Sequence, residues 1–135
     1  MQIATRKAVG VFLLAAASSS AMAEWVEVGR SESETLYFDP STITIRGTAN
    51  GARMWALKDF NAPQRFDRRE PFKSEKAEHE YDCELARSRL LYFTSHSENM
   101  AGGEVVDFNV AHGDWTPVPP NTGLDELWRI ACGKA

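Results

Sequence analysis

The chain has 135 residues, with 15 basic and 19 acidic side chains, a formal charge of −4 and two cysteines. An acidic chain without a block of Lys and Arg lacks the electrostatic footprint that nucleic acid or an anionic membrane surface requires. The length suits one domain with a modest core, and no apolar run reaches the roughly 20 residues that cross a bilayer as a helix.

The amino terminus reads as an export signal. Arg6 and Lys7 precede an apolar run from Ala8 to Ala17, and small residues end in Ala21-Met22-Ala23. This positive, apolar, small-residue order predicts a signal peptide over residues 1–23 and cleavage after Ala23. The expected mature domain is 24–135, and loss of Arg6 and Lys7 takes its formal charge to −6. No cysteine follows the cleavage site, so a lipid anchor of the bacterial lipoprotein kind is not expected.

"EWVEVGR" alternates, with Val26 and Val28 on one face, and "ETLYFDP" is a second short strand stopped by Asp39-Pro40. Pro40 after Asp39 suits a helical turn, with Asp39 as its cap. Ile43 and Ile45 then alternate with threonines as a strand does. "NGARMWALKDF" follows a hairpin-type Asn50-Gly51 and reads as the central strand. "NAPQRFDRREPFKS" has two prolines and reads as an exposed loop. Its Arg65, Arg68 and Arg69 form a local basic patch, which is either solvated loop charge or a contact for an acidic partner.

Over "SEKAEHEYDCELARSRLLYFTSHSE" the residues leave helix and strand equally open. Glu, Lys, Ala, Leu and Arg favour a helix. Ala77, His79, Tyr81 and Cys83 nonetheless fall on one face at period two, and Leu90 to Thr94 carries strand-favouring aromatics. "MAGGEVVDFNV" reads as a strand after the Gly102-Gly103 turn, completing an antiparallel hairpin. "GDWTPVPPNTG" reads as irregular. "TGLDELWRIAC" is helical, because Leu124, Leu127, Trp128 and Ala131 recur at i, i+3, i+4 and i+7. Thr122 is its expected N-cap, with Asp125 three residues on.

Export decides how Cys83 and Cys132 read. Outside the cytosol thiols are usually oxidised, and two cysteines allow one pairing. Closing that loop would constrain the unfolded chain by roughly 4 kcal/mol, a large share of a small domain's margin. Two readings compete with the disulfide. A reactive thiol would need a basic neighbour, for which His79 and Arg87 are available. Zinc would need about four ligands at short spacing, which two lone cysteines do not supply.

Catalytic signatures are missing. His79, His96 and His112 are far apart and fit no metal-binding spacing. His112 and Asp114 stand close together without a nucleophile elbow, and Ser88, Ser95 and Ser97 have no motif around them. Glu75, Glu78, Glu80, Asp82 and Glu84 alternate with polar neighbours and read as a solvated strand face rather than an acid–base pair. No cofactor and no metal is expected.

The segments "WVEVG", "LYFDPSTI", "MWALKDF", "SEKAEHEYDCELARSRL", "GGEVV", "DWTPVPPNT" and "LWRIAC" follow in that order. Their order and spacing from Trp25 to Cys132 resemble the surface-adhesin protein E family of Proteobacteria. The resemblance implies an α+β fold: an antiparallel sheet of about six strands, a C-terminal helix and one disulfide. It turns the ambiguous segment into two long strands through Tyr81 and Tyr92, and makes Cys83 structural. It also implies a protein-binding, adhesive role without catalysis, since the founding members are outer-membrane adhesins for host extracellular-matrix and serum proteins. The chain departs from them in lacking a lipidation cysteine, so the expected destinations are the periplasm, the cell surface or the medium. The expected partner is a host-matrix or envelope protein, or a second copy joined through a sheet edge. The alternative is a periplasmic domain that binds a small ligand or acts as an enzyme. The resemblance carries no binding residue across, which leaves Arg65, Arg68 and Arg69 as the contact candidates.

Overall fold

The computed structural model of the chain describes residues 23–46, 50–67, 70–110 and 113–134. The elements are β1 (Val26–Arg30), β2 (Glu34–Phe38), a 3-10 turn (Pro40–Thr42), β3 (Thr44–Arg46), β4 (Gly51–Gln64), β5 (Phe72–Asp82), β6 (Arg87–His96), a second 3-10 turn (Asn99–Ala101), β7 (Val105–Val110), β8 (Thr116–Pro117) and α1 (Gly123–Ala131). All strands join one antiparallel sheet. Its main order is β1-β2-β4-β5-β6-β7, with β3 extending along β4 and β8 along β6. The expected α+β architecture of about six main strands and a terminal helix is therefore present, and the two short strands lengthen its flanks.

The ambiguous segment is a pair of long strands. β5 and β6 pair from Ser74↔His96 to Asp82↔Arg87 around a tight turn in which Ala86 takes a positive φ of 45°. Two local readings change. β4 runs on to Gln64 and β5 begins at Phe72, so Asn61–Gln64 and Phe72–Ser74 are strand rather than loop; the β4–β5 ladder is interrupted between Asp59 and Gln64, where Pro63 removes no needed donor. "GDWTPVPPNTG" contributes β8, whose two residues pair with Arg87 and Ser88.

The break between β2 and β3 is built from its own side chains. Asp39 accepts from the backbone N–H of Ser41 at 2.9 Å, capping the turn. Thr42 Oγ1 accepts from the Trp55 N–H at 3.0 Å while the Asp39 N–H donates to the Trp55 carbonyl. The interruption thus leaves no β4 backbone group unpaired at Trp55.

One face of the sheet is covered by α1. Ala52, Met54 and Ala56 of β4 and Tyr81 of β5 meet Leu127, Trp128 and Ala131 of the helix in the buried core. Burying each large apolar side chain there stabilises by roughly 1.5–3 kcal/mol. The helix starts as expected, with Thr122 Oγ1 accepting from the Asp125 N–H at 3.2 Å and Asp125 accepting from the Asn121 N–H at 3.0 Å. It ends where Gly133, at φ 65°, lets the Lys134 N–H return to the Arg129 carbonyl at 2.7 Å.

Three covalent and polar links hold the end of α1 to the end of β5. Cys83 and Cys132 form a disulfide with Cα atoms 5.5 Å apart. Trp128 Nε1 donates to the Asp82 carbonyl at 2.7 Å, and Lys134 Nζ donates to the Cys83 carbonyl at 2.7 Å. The disulfide reading of the two cysteines therefore holds, and neither is a free thiol.

Candidate functional site

The face of the sheet opposite α1 presents side chains at the alternate positions Trp55, Glu78, Glu80, Arg89, Tyr92 and Thr94. Its acids are not simply solvated. The Glu80 side chain is only 12% exposed and accepts from Arg53 at 3.5 Å and from Arg89 at 3.2 Å. Asp82 pairs with Arg87 at 2.8 Å. Burial works to raise the Asp82 carboxyl, yet the Leu85 and Glu84 N–H groups and Arg87 hold it below its ordinary range. Trp115 lies against both arginines, with its ring 4.8 Å from Arg87 Cζ and 4.6 Å from Arg89 Cζ. Trp55 and Tyr92 meet edge to face at 5.6 Å, and Lys76 stands 5.4 Å from the Trp55 ring.

This open face ends at β7, a border of the sheet. Thr94 pairs with Phe108 and Tyr92 with Val110, which puts both β7 side chains on the open side. Val105, Phe108 and Val110 are 52%, 67% and 66% exposed. The other border, β1, differs in kind. It carries a bulge at Val28 and an exposed Glu27–Arg30 ion pair at 2.6 Å, two devices that discourage strand addition. β7 carries no charged side chain on its open face, where those three apolar residues stand.

The helix-covered face holds a cleft of about 360 Å³ between the start of α1 and the sheet. Its floor is Ala56 opposite Ala77, a cross-strand pair too small to fill the space. Leu36, Leu90, Leu124 and Leu127 form its walls, and Glu34, Lys58, Glu75 and His79 supply its polar groups. Burial, with help from Lys58, lowers the His79 pKa to about 4, so the imidazole is neutral at pH 7. Its Nδ1 is buried without a hydrogen-bond partner. Burial also raises the Glu75 carboxyl, against the pull of Lys58 and the Ser95 hydroxyl 3.4 Å away.

The residues singled out in the sequence are thus scattered. His79 lies in the cleft. His96 is buried on the open side, where its Nε2 and Thr94 Oγ1 share a hydrogen bond at 2.8 Å. Arg65 is exposed just beyond β4, while Arg68, Arg69 and His112 lie outside the described residues, as does most of the expected signal peptide. Among the described residues no group of three or more His, Cys, Asp or Glu could hold a metal ion, and no helix is long and apolar enough to cross a membrane. The β7 border and the cleft escaped sequence reasoning. The apolar Val105, Phe108 and Val110 were visible, but their place at an uncovered border was not. The facing alanines become neighbours only through strand register.

Comparison with known proteins agrees with this architecture. Residues 25–133 match the family profile described as surface-adhesin protein E. No curated protein sequence matches the chain. Among solved structures, crystal form II of Haemophilus influenzae protein E is similar with a TM-score of 0.58 at 12% identity, covering 73% of this chain and 80% of that one. Another structure of Haemophilus influenzae protein E is similar with a TM-score of 0.57 at 11% identity, covering 83% and 92%. At such identity the structural likeness speaks for the fold, and the profile match over most of the length speaks for descent: the chain belongs to the surface-adhesin protein E family.

Proposed function

We propose that this chain is an exported protein-binding module with an adhesive role, and that it binds without catalysing. The observation behind this reading is the β7 border. Among the described residues it is the last strand of the sheet, with the exposed Val105, Phe108 and Val110 along it. An extended segment of another protein can add there as a further strand, with its backbone supplying affinity and its side chains meeting the apolar row. The partner is a host-matrix or envelope protein, or a second copy meeting β7 with its own β7. Export follows from a signal peptide over residues 1–23, which leaves 24–135 as the working domain in the periplasm or beyond. Membership of an adhesin family supports both points. The test is capture from cell-envelope and host-matrix extracts by the exported, oxidised protein. Saturable capture that disappears on reduction is expected; capture that survives unfolding would mark mere stickiness and overturn the reading.

One observation favours a second reading, the binding of a small ligand. The cleft beneath α1 has an apolar floor, polar groups at its rim and a size within the range of ligand pockets.

A further inference from the structure

The cleft's charge balance says what kind of ligand it would take. Lys58 stands directly across from Glu75 in the β4–β5 ladder, and Glu34 lines the same cleft. Glu34 opposes the ionisation of Glu75. Two carboxylates of the cleft therefore share one ammonium. Glu75 is half-buried, and among the described residues its one side-chain hydrogen bond is a long one from Ser95 at 3.4 Å. Lys58 is exposed and forms no short ion pair with Glu75 among the described residues, so the cleft keeps an excess of negative charge. His79 adds no positive charge at neutral pH, and its Nδ1 has no partner. The floor beyond these groups, from Ala56 and Ala77 to Leu90 and Leu124, is wholly apolar.

We propose that this cleft binds a small organic cation with an apolar body, its ammonium beside Glu75 and Glu34 and its apolar part over Ala56 and Ala77 beneath α1. The inference rests on the small-ligand reading above and is independent of docking at β7, whose apolar row faces the opposite side of the sheet. An ammonium would balance the second carboxylate of the cleft and offer donors that Glu75 can accept. Displacing water from between two alanines and four leucines favours an alkyl or aryl body over a polar one. A carboxylate ligand with the same body would add a third negative group and should be rejected.

The experiment compares n-hexylamine, n-hexanol and n-hexanoate by amide chemical-shift titration of the oxidised protein at pH 7. The amine should move the resonances of Ala77, His79 and Leu124 with an affinity about tenfold or more above that of hexanoate, the effect of one charge-assisted contact. Glu75→Gln should remove that preference, leaving amine and alcohol about equal. Ala77→Leu, which fills the floor, should abolish the shifts for all three while the rest of the spectrum keeps its native dispersion. If hexanoate or hexanol binds as tightly as the amine, the cationic assignment falls and the small-ligand reading survives. If none of the three shifts these residues, or Ala77→Leu leaves the shifts in place, both fall.

Discussion

The indole Nε1 of Trp128 donates to the carbonyl of Asp82 at 2.7 Å, one residue before the cysteine that is bonded to the same helix. The hydrogen bond and the disulfide pin one end of α1 to the end of β5, while Gly123 at its start packs against Leu36 of β2. The helix so held closes the core and roofs the cleft over Ala56 and Ala77. Trp128→Phe keeps most of the buried ring and removes the donor. It should cost about 1 kcal/mol, seen as a thermal midpoint lower by roughly 4–8 °C. Trp128→Ala also opens a cavity and should cost about 3–5 kcal/mol. If the Phe variant melts with the parent, the Asp82 contact contributes nothing.

The disulfide should dominate the same anchor. Replacing both Cys83 and Cys132 by Ser avoids a leftover thiol and should lower stability by roughly 4 kcal/mol in urea, mainly through the unfolded state. Parent and double variant with equal urea midpoints would show that packing alone holds α1.

Much of this anchor could be read in the sequence. The Thr122 cap and the i, i+3, i+4, i+7 row of α1 follow from local spacing, and the pairing of the two cysteines follows from export and their number. β5 could not be decided that way. Its Glu, Lys and Ala residues favour a helix locally, and only the pairing of Ala56 with Ala77 and Trp55 with Glu78 on a neighbouring strand makes the period-two pattern prevail. The acidic row was visible, but not its partners, because Arg53 comes from β4 and Arg89 from β6. For the same reason the cleft and the β7 border stayed hidden: each depends on which strands become neighbours.

Acid should loosen the fold through His79. Its folded pKa of about 4 lies below the ordinary 6.5, so the unfolded state binds the proton first. The stability this group contributes is complete above pH 6.5 and is lost as the pH falls towards 4, by at most about 3 kcal/mol. Glu75 has the opposite sign: its folded pKa is raised, so its contribution is complete below the ordinary carboxylate value and is lost as the pH rises through the raised one. Urea midpoints of His79→Leu should therefore fall less than the parent's between pH 6.5 and 4.5. Parallel curves for parent and variant would remove His79 from the account.

Arg65, Arg68 and Arg69 are proposed as rim charges for an acidic partner. Replacing all three by Ser should slow association at low salt and change little at high salt. An association rate unchanged at both salts would make them ordinary loop charges.

The β7 border carries the central claim, that this domain binds protein through an uncovered strand. The most direct measurement is amide hydrogen–deuterium exchange of the oxidised protein with and without its captured partner, repeated for a Phe108→Asp, Val110→Asp variant. The variant should keep its stability, since both residues are on the surface. The account predicts that partner binding slows exchange at Val105–Val110 in the parent, and that the variant captures no partner. Protection confined to other segments, or undiminished capture by the variant, would contradict it.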